Sequence, residues 1–170
     1  MNIPDLTVLI VNAMIFWNPP LEHNFTHEPG LDTVARYHAL AHQMAEAALT
    51  EDPLPGLSRV DAGILLASIG SFESGGWRKS VVDCTEGGDS SRSWTAWQLQ
   101  GDKARLCTPD APRVALDRLR ASLAECRELP AEWRLSRYAS GTCSRGHQES
   151  AARWKRMVYY MTVHSLTSKS

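Results

Sequence analysis

Apolar positions recur with a helical period along most of the chain. The run LTVLIVNAMIFW, Leu6 to Trp17, is almost wholly apolar and ends at NPP. Asp5 precedes it and no Lys or Arg does, so it lacks the basic start and small-residue cleavage site of an export signal. At about 12 residues it also falls short of the roughly 20 that span a bilayer. It is read as a buried first helix, with a membrane-arrested anchor as the alternative. After the connector NPPLEHNFTHEPG, a second helix is expected from Leu31 to Thr50, with Val34, Tyr37, His38, Ala41, Ala45 and Ala48 on one face and EDPLPG closing it. SRVD opens a third helix, with Ser58 as cap and Asp61 three residues on in a capping-box arrangement. Thr108, Pro109 and Asp110 read as a cap, a first-position proline and a first-turn acid. The helix they open carries Leu116, Leu119, Leu123 and Cys126 on its inner stripe. A short helix over Ala131 to Tyr138 and a long one from Gln148 to His164, with Ala151, Trp154, Val158 and Met161 inward, complete the set. Residues 80–101 follow no helical period and carry Gly and Ser, which predicts loops with at most a small hairpin.

A chain of 170 residues supports one core. It is read as a single domain over 1–170, with N-terminal helices in 1–56 packed on a motif-bearing core in 57–165. A net charge of −1 offers no general attraction to polyanions, so no nucleic-acid partner is expected, and no membrane insertion either. The four cysteines have no CxxC spacing, which argues against a zinc site. Their separations suggest Cys84 with Cys107 and Cys126 with Cys143, provided the protein works in an oxidising place; four buried thiols are the alternative.

SFESGGWRKS, residues 71–80, carries the candidate chemistry. Leu65, Ile69 and Glu73 recur every four residues beside the row Val60, Ile64, Ser68 and Phe72. Glu73 thus continues an apolar stripe in the last helical turn. Desolvation and the helix dipole both disfavour a negative charge there, and a glutamate held as the neutral acid is what general acid catalysis requires. The competing reading is a solvated glutamate at a fraying helix end.

ESGG at the close of an apolar helix, GGDSSRSWTAWQLQ some way after it and YASG near the C-terminus together resemble the three-motif pattern of soluble lytic transglycosylases and goose-type lysozymes. The resemblance spans about residues 57–160. It implies a mainly helical, lysozyme-like fold, with a small loop or β-hairpin segment around residues 80–101. The implied activity is cleavage of the β-1,4 bond between N-acetylmuramic acid and N-acetylglucosamine in peptidoglycan. Glu73 would be the catalytic acid, and Ser74, Ser93, Trp97, Gln98, Tyr138 and Gly141 would bind substrate. Two positions depart from the pattern: Thr95 stands where the family shows glycine, and Ala139 replaces an asparagine.

Glycosidases ordinarily use a second carboxylate. Asp83, Glu86 and Asp89 are the candidates, Asp89 foremost. In lytic transglycosylases, as the resemblance implies, one glutamate protonates the glycosidic oxygen and then deprotonates the sugar's own 6-hydroxyl, closing a 1,6-anhydro ring. That chemistry is preferred here over hydrolysis by a muramidase or endolysin. A noncatalytic wall-binding or virion structural protein is the alternative of another class. For any one of Trp77, Trp94 and Trp97 core packing is the ordinary reading, and Trp97 or Trp94 is expected to line a sugar groove. The pairs His23 with His27 and His38 with His42 read as packing or surface residues, since Ala39 stands where a zinc protease needs glutamate. Cys143 has no partner motif for a nucleophile. No cofactor or metal is expected. The partner would be peptidoglycan, met at the bacterial wall or periplasm by a monomer, or by a phage lysin or virion component that needs no signal peptide. If the stripe places Glu73 in a partly apolar cleft, Glu73→Gln is expected to fold at least as well as the parent, since no charge need be desolvated.

Overall fold

The Asn2 side chain accepts a hydrogen bond from the Asp5 N–H at 2.9 Å while the Asp5 carboxylate accepts one from the Asn2 N–H, and this reciprocal cap starts the first helix. In a computed structural model, which describes residues 1–20, 30–88, 90 and 92–167, the chain is mainly helical. Helix α1 covers Ile3–Trp17, α2 Gly30–Thr50 and α3 Arg59–Glu73. The Ser58–Asp61 box caps α3 as its sequence signature requires. A short α4, Lys79–Val82, leads to a two-stranded antiparallel ribbon of β1, Ser93–Trp94, and β2, Leu99–Gln100. That ribbon is the small hairpin expected in residues 80–101. Then follow α5 (Lys103–Leu106), α6 (Ala111–Glu125), a 3-10 turn at Ala131–Trp133, α7 (Ser136–Ser140) and α8 (His147–Thr167).

One cluster of buried side chains runs from Leu6 and Ile10 on α1 through Met44 on α2, Ile64, Leu65 and Leu66 on α3 and Leu116 and Leu119 on α6 to Met157 and Tyr160 on α8. The first helix is buried along one face, with Val8 and Phe16 left exposed on the other. Among the described residues no helix is long and apolar enough to cross a membrane. Three aromatic rings, Tyr37, Trp77 and Trp97, meet edge to face at centroid distances of 6.4 Å for each neighbouring pair. Both disulfides form with the pairing that their separations suggested, Cys84 with Cys107 and Cys126 with Cys143. Such bonds fit an oxidising compartment.

Three local expectations are corrected. Helix α6 begins at Ala111, so Pro112 and not Pro109 occupies its first turn, and Asp110 makes no capping bond because it reaches Arg113 at 3.4 Å instead. His38 is exposed and falls off the buried face of α2, which runs through Tyr37, Ala41, Met44, Ala45 and Ala48. On α8 the inward row is Ser150, Arg153, Met157 and Tyr160, with Val158 45% exposed. The helix is turned from its expected phase because a buried arginine and serine replace apolar residues on the packed row.

Candidate functional site

Why ESGGW follows an apolar helix is explained by the way α3 ends. Beyond Glu73 the backbone reverses through three consecutive left-handed residues, Gly75 (φ 63°), Gly76 (φ 85°) and Trp77 (φ 64°), a course that two glycines make accessible. Ser74 secures the reversal: its hydroxyl donates to the Gly70 carbonyl at 2.6 Å and accepts from the Trp77 N–H at 2.7 Å. The Gly76 N–H donates to the Ser71 carbonyl at 2.8 Å. Trp77 is thereby folded back onto its own helix, over Gly70, where a Cβ atom would lie 2.3 Å from the Trp77 Cη2. The turn therefore fixes the direction in which Glu73 leaves the helix.

The Glu73 side chain is 18% exposed and its Oε1 accepts two bonds from Arg153 on α8, from Nε at 2.8 Å and from Nη2. Oε2 makes no hydrogen bond to the described residues. Arg153 is 4% exposed, stacks its guanidinium over the Phe72 ring at 4.7 Å, and has its backbone carbonyl held by the Ser68 hydroxyl at 2.9 Å. Periodicity left this positive charge out. It opposes the desolvation and dipole effects on which the sequence argument rested.

Glu73 opens onto a cavity of about 570 Å³. Its wall also carries Gln98, Leu99 and Gln100 from the hairpin, Arg118 from α6, and the run Arg137 to Gly141 at the end of α7. Four segments, the end of α3, the hairpin, α6 and the end of α7, thus converge. The Tyr138 hydroxyl donates to the Trp97 carbonyl at 2.7 Å, tying α7 to the hairpin turn. Its phenol is pushed well above the usual tyrosine range, first by burial and then by the negative charge of Glu73, while Arg153 and Arg118 act in the opposite direction. Gln98 sits at φ 47° and donates through Nε2 to the Thr95 carbonyl at 3.1 Å. Thr95 itself adopts φ 69°, the conformation that a glycine takes easily and a β-branched residue rarely does. Gly141 closes α7 at φ 81°.

Other expected contacts lie elsewhere. Ser74 is 1% exposed and spends its hydroxyl on the turn, and Ser93 is 1% exposed on β1, whose backbone pairs with Gly88; neither lines the cavity. Trp97 borders it, but the ring is 2% exposed and its indole N–H donates to the Leu66 carbonyl at 2.9 Å, so it is a core residue and not a sugar platform. Trp94 stands outside the cavity wall under the Lys103 ammonium, 4.8 Å from the ring centre. Asp83 pairs with Lys79, and Glu86 bonds Ser80 and Arg78. Neither reaches the cavity, so Glu73 is the one carboxylate among the described lining residues. Asp89, His23 and His27 lie outside the described residues. His38 and His42 are exposed, and among the described residues no group of three or more His, Cys, Asp or Glu could hold a metal. Cys143 is spent in its disulfide.

Sequence reasoning missed the three arginines. Arg153 shares a row with Met157 and Tyr160 at helical spacing, which was the one available signal; Arg118 and Arg137 carried none. No protein-family model, curated protein or solved structure matches the chain.

Proposed function

We propose that this protein is a peptidoglycan-cleaving glycosidase with a lysozyme-like fold, acting on the β-1,4 bond between N-acetylmuramic acid and N-acetylglucosamine as a lytic transglycosylase. The observation that carries the reading is the convergence of Glu73, Gln98 and Tyr138 to Gly141 on one cavity in which Glu73 is the single described carboxylate. Paired with Arg153 at rest, the Glu73 carboxylate would take up a proton on Oε2 before it acts as the acid, keeping Oε1 as acceptor for Arg153. That proton passes to the glycosidic oxygen as the bond from that oxygen to C1 breaks. The resulting carboxylate then takes the proton of the 6-hydroxyl while O6 bonds to C1, leaving a 1,6-anhydro end and a regenerated acid. Gln98 and the polar groups of the α7 end would orient the sugar. The setting would be the bacterial wall or periplasm, consistent with the disulfides.

The test is digestion of purified cell walls. Wild-type protein is expected to release fragments with anhydro ends, one water lighter than reducing ends by mass, and Glu73→Gln to lower release by about 100-fold or more. Reducing ends would establish the hydrolytic muramidase instead. A second reading, a wall-binding protein without turnover, draws on the Arg153 clamp on Glu73; wall binding without fragment release would establish it.

A further inference from the structure

The cavity wall is unbalanced in charge. Of the guanidinium groups at or beside it, that of Arg153 is met by Glu73 and that of Arg137 by Glu125, which stands off the wall. Arg118 is half-buried and lines the cavity, and its Nη2 donates to the Gln100 carbonyl. No carboxylate among the described residues pairs with it. Its charge is close enough to act on the Tyr138 hydroxyl at the centre of the site. A partly desolvated cation on a concave wall, held by a neutral carbonyl alone, is best satisfied by an anion arriving with the ligand. The guanidinium presents a planar fork of donors that matches a carboxylate.

We propose that Arg118 forms a carboxylate-reading subsite, so that the cleft selects glycans carrying a free acid over neutral ones. The inference rests on the glycan reading of the site. Two sources share that chemistry: the lactyl carboxyl of muramic acid once its peptide has been removed, and the free carboxylates of an attached peptide. A neutral chitin-type saccharide offers neither.

The test measures binding, not turnover. The disaccharide N-acetylglucosaminyl-β-1,4-N-acetylmuramic acid lacks the bond to be cleaved, so wild-type protein holds it intact. Four probes are titrated by NMR: this disaccharide, its lactyl amide, the same disaccharide bearing a peptide with free carboxylates, and chitobiose. An acidic probe is expected to bind about tenfold tighter than the lactyl amide and chitobiose, the scale of one charge-assisted hydrogen-bonded pair. The advantage should shrink as salt rises, and Arg118→Gln should bring the ratio close to one. Preference for the free lactyl acid or for the peptide-bearing probe identifies the source. Equal binding of acidic and neutral probes, discrimination that survives in Arg118→Gln, or binding of none of the four would overturn the proposal. Wall cleavage by the wild type is scored separately, so the subsite can fail while the glycosidase reading stands.

Discussion

Glu73 and Arg153 depend on each other. Replacing the glutamate by its amide leaves a guanidinium that is 4% exposed facing a neutral acceptor, and an unpaired buried charge is strongly destabilising. The structure therefore corrects the expectation that Glu73→Gln folds as well as the parent. Because the amide still accepts a hydrogen bond and the carboxylate is 18% exposed, the expected loss is about 1–3 kcal/mol by denaturant unfolding. Adding Arg153→Met, which removes the stranded charge while filling its volume, should return much of that stability and none of the activity. A double variant no more stable than Glu73→Gln would show that the pair contributes little. Gln98→Ala is expected to lower wall cleavage by roughly tenfold, because an amide can orient a sugar but cannot supply a proton. Equal losses in Gln98→Ala and Glu73→Gln would overturn that order. At this scale the sequence marked the carboxylate through its place on an apolar stripe, but hid its partner, since an arginine among apolar neighbours reads as surface. Ser74 was equally opaque: whether a hydroxyl serves a turn or a ligand depends on which way the chain bends next.

Helix ends and helix phases were legible to different degrees. The Ser58–Asp61 box announced the start of α3 because both partners lie within one turn. The start of α6 was misplaced because two prolines, Pro109 and Pro112, compete for the same first-turn role and only the second is inside the helix. The phase of α8 was misread by one row, since its packed face is set by the ion pair and by the Ser150 hydroxyl, which accepts from the Leu135 N–H at 3.0 Å, as much as by apolar burial. At the end of α3 the decisive contact is between elements: Trp77 lies on Gly70. Gly70→Ala would force a methyl into the space of the indole, and an overpacked core costs about 1–3 kcal/mol. The near-ultraviolet signal of the tryptophans should change with the loss. A variant as stable as the parent with an unchanged spectrum would contradict this packing.

Across the whole molecule, two of the segments that build the cleft, the hairpin and the end of α7, carry little regular structure, and each lies within a disulfide-closed loop. Cys84–Cys107 closes a separation of 23 residues around the hairpin, and Cys126–Cys143 one of 17 around α7. Closing a loop of that size restricts the unfolded chain by roughly 3 kcal/mol in the chain-entropy model. Reduction is therefore expected to lower the melting temperature and to weaken wall cleavage before the helices melt, followed by circular dichroism beside fragment release. Simultaneous loss of both signals would show that the cleft has no independent weak point. The helical class, the hairpin and the disulfide pairing were readable because they rest on local spacing. The charge of the cleft was not, because α6, α7 and α8 each contribute one arginine and nothing in a linear pattern relates them. The Glu73–Arg153 pair joins residues 80 positions apart, with a timing consequence. During synthesis at about 5–20 residues per second, the acid is made several seconds before the arginine that holds it. Until α8 is translated and docks, the nascent chain has the carboxylate without its clamp, so completion of the site belongs to the late stages of the molecule's birth.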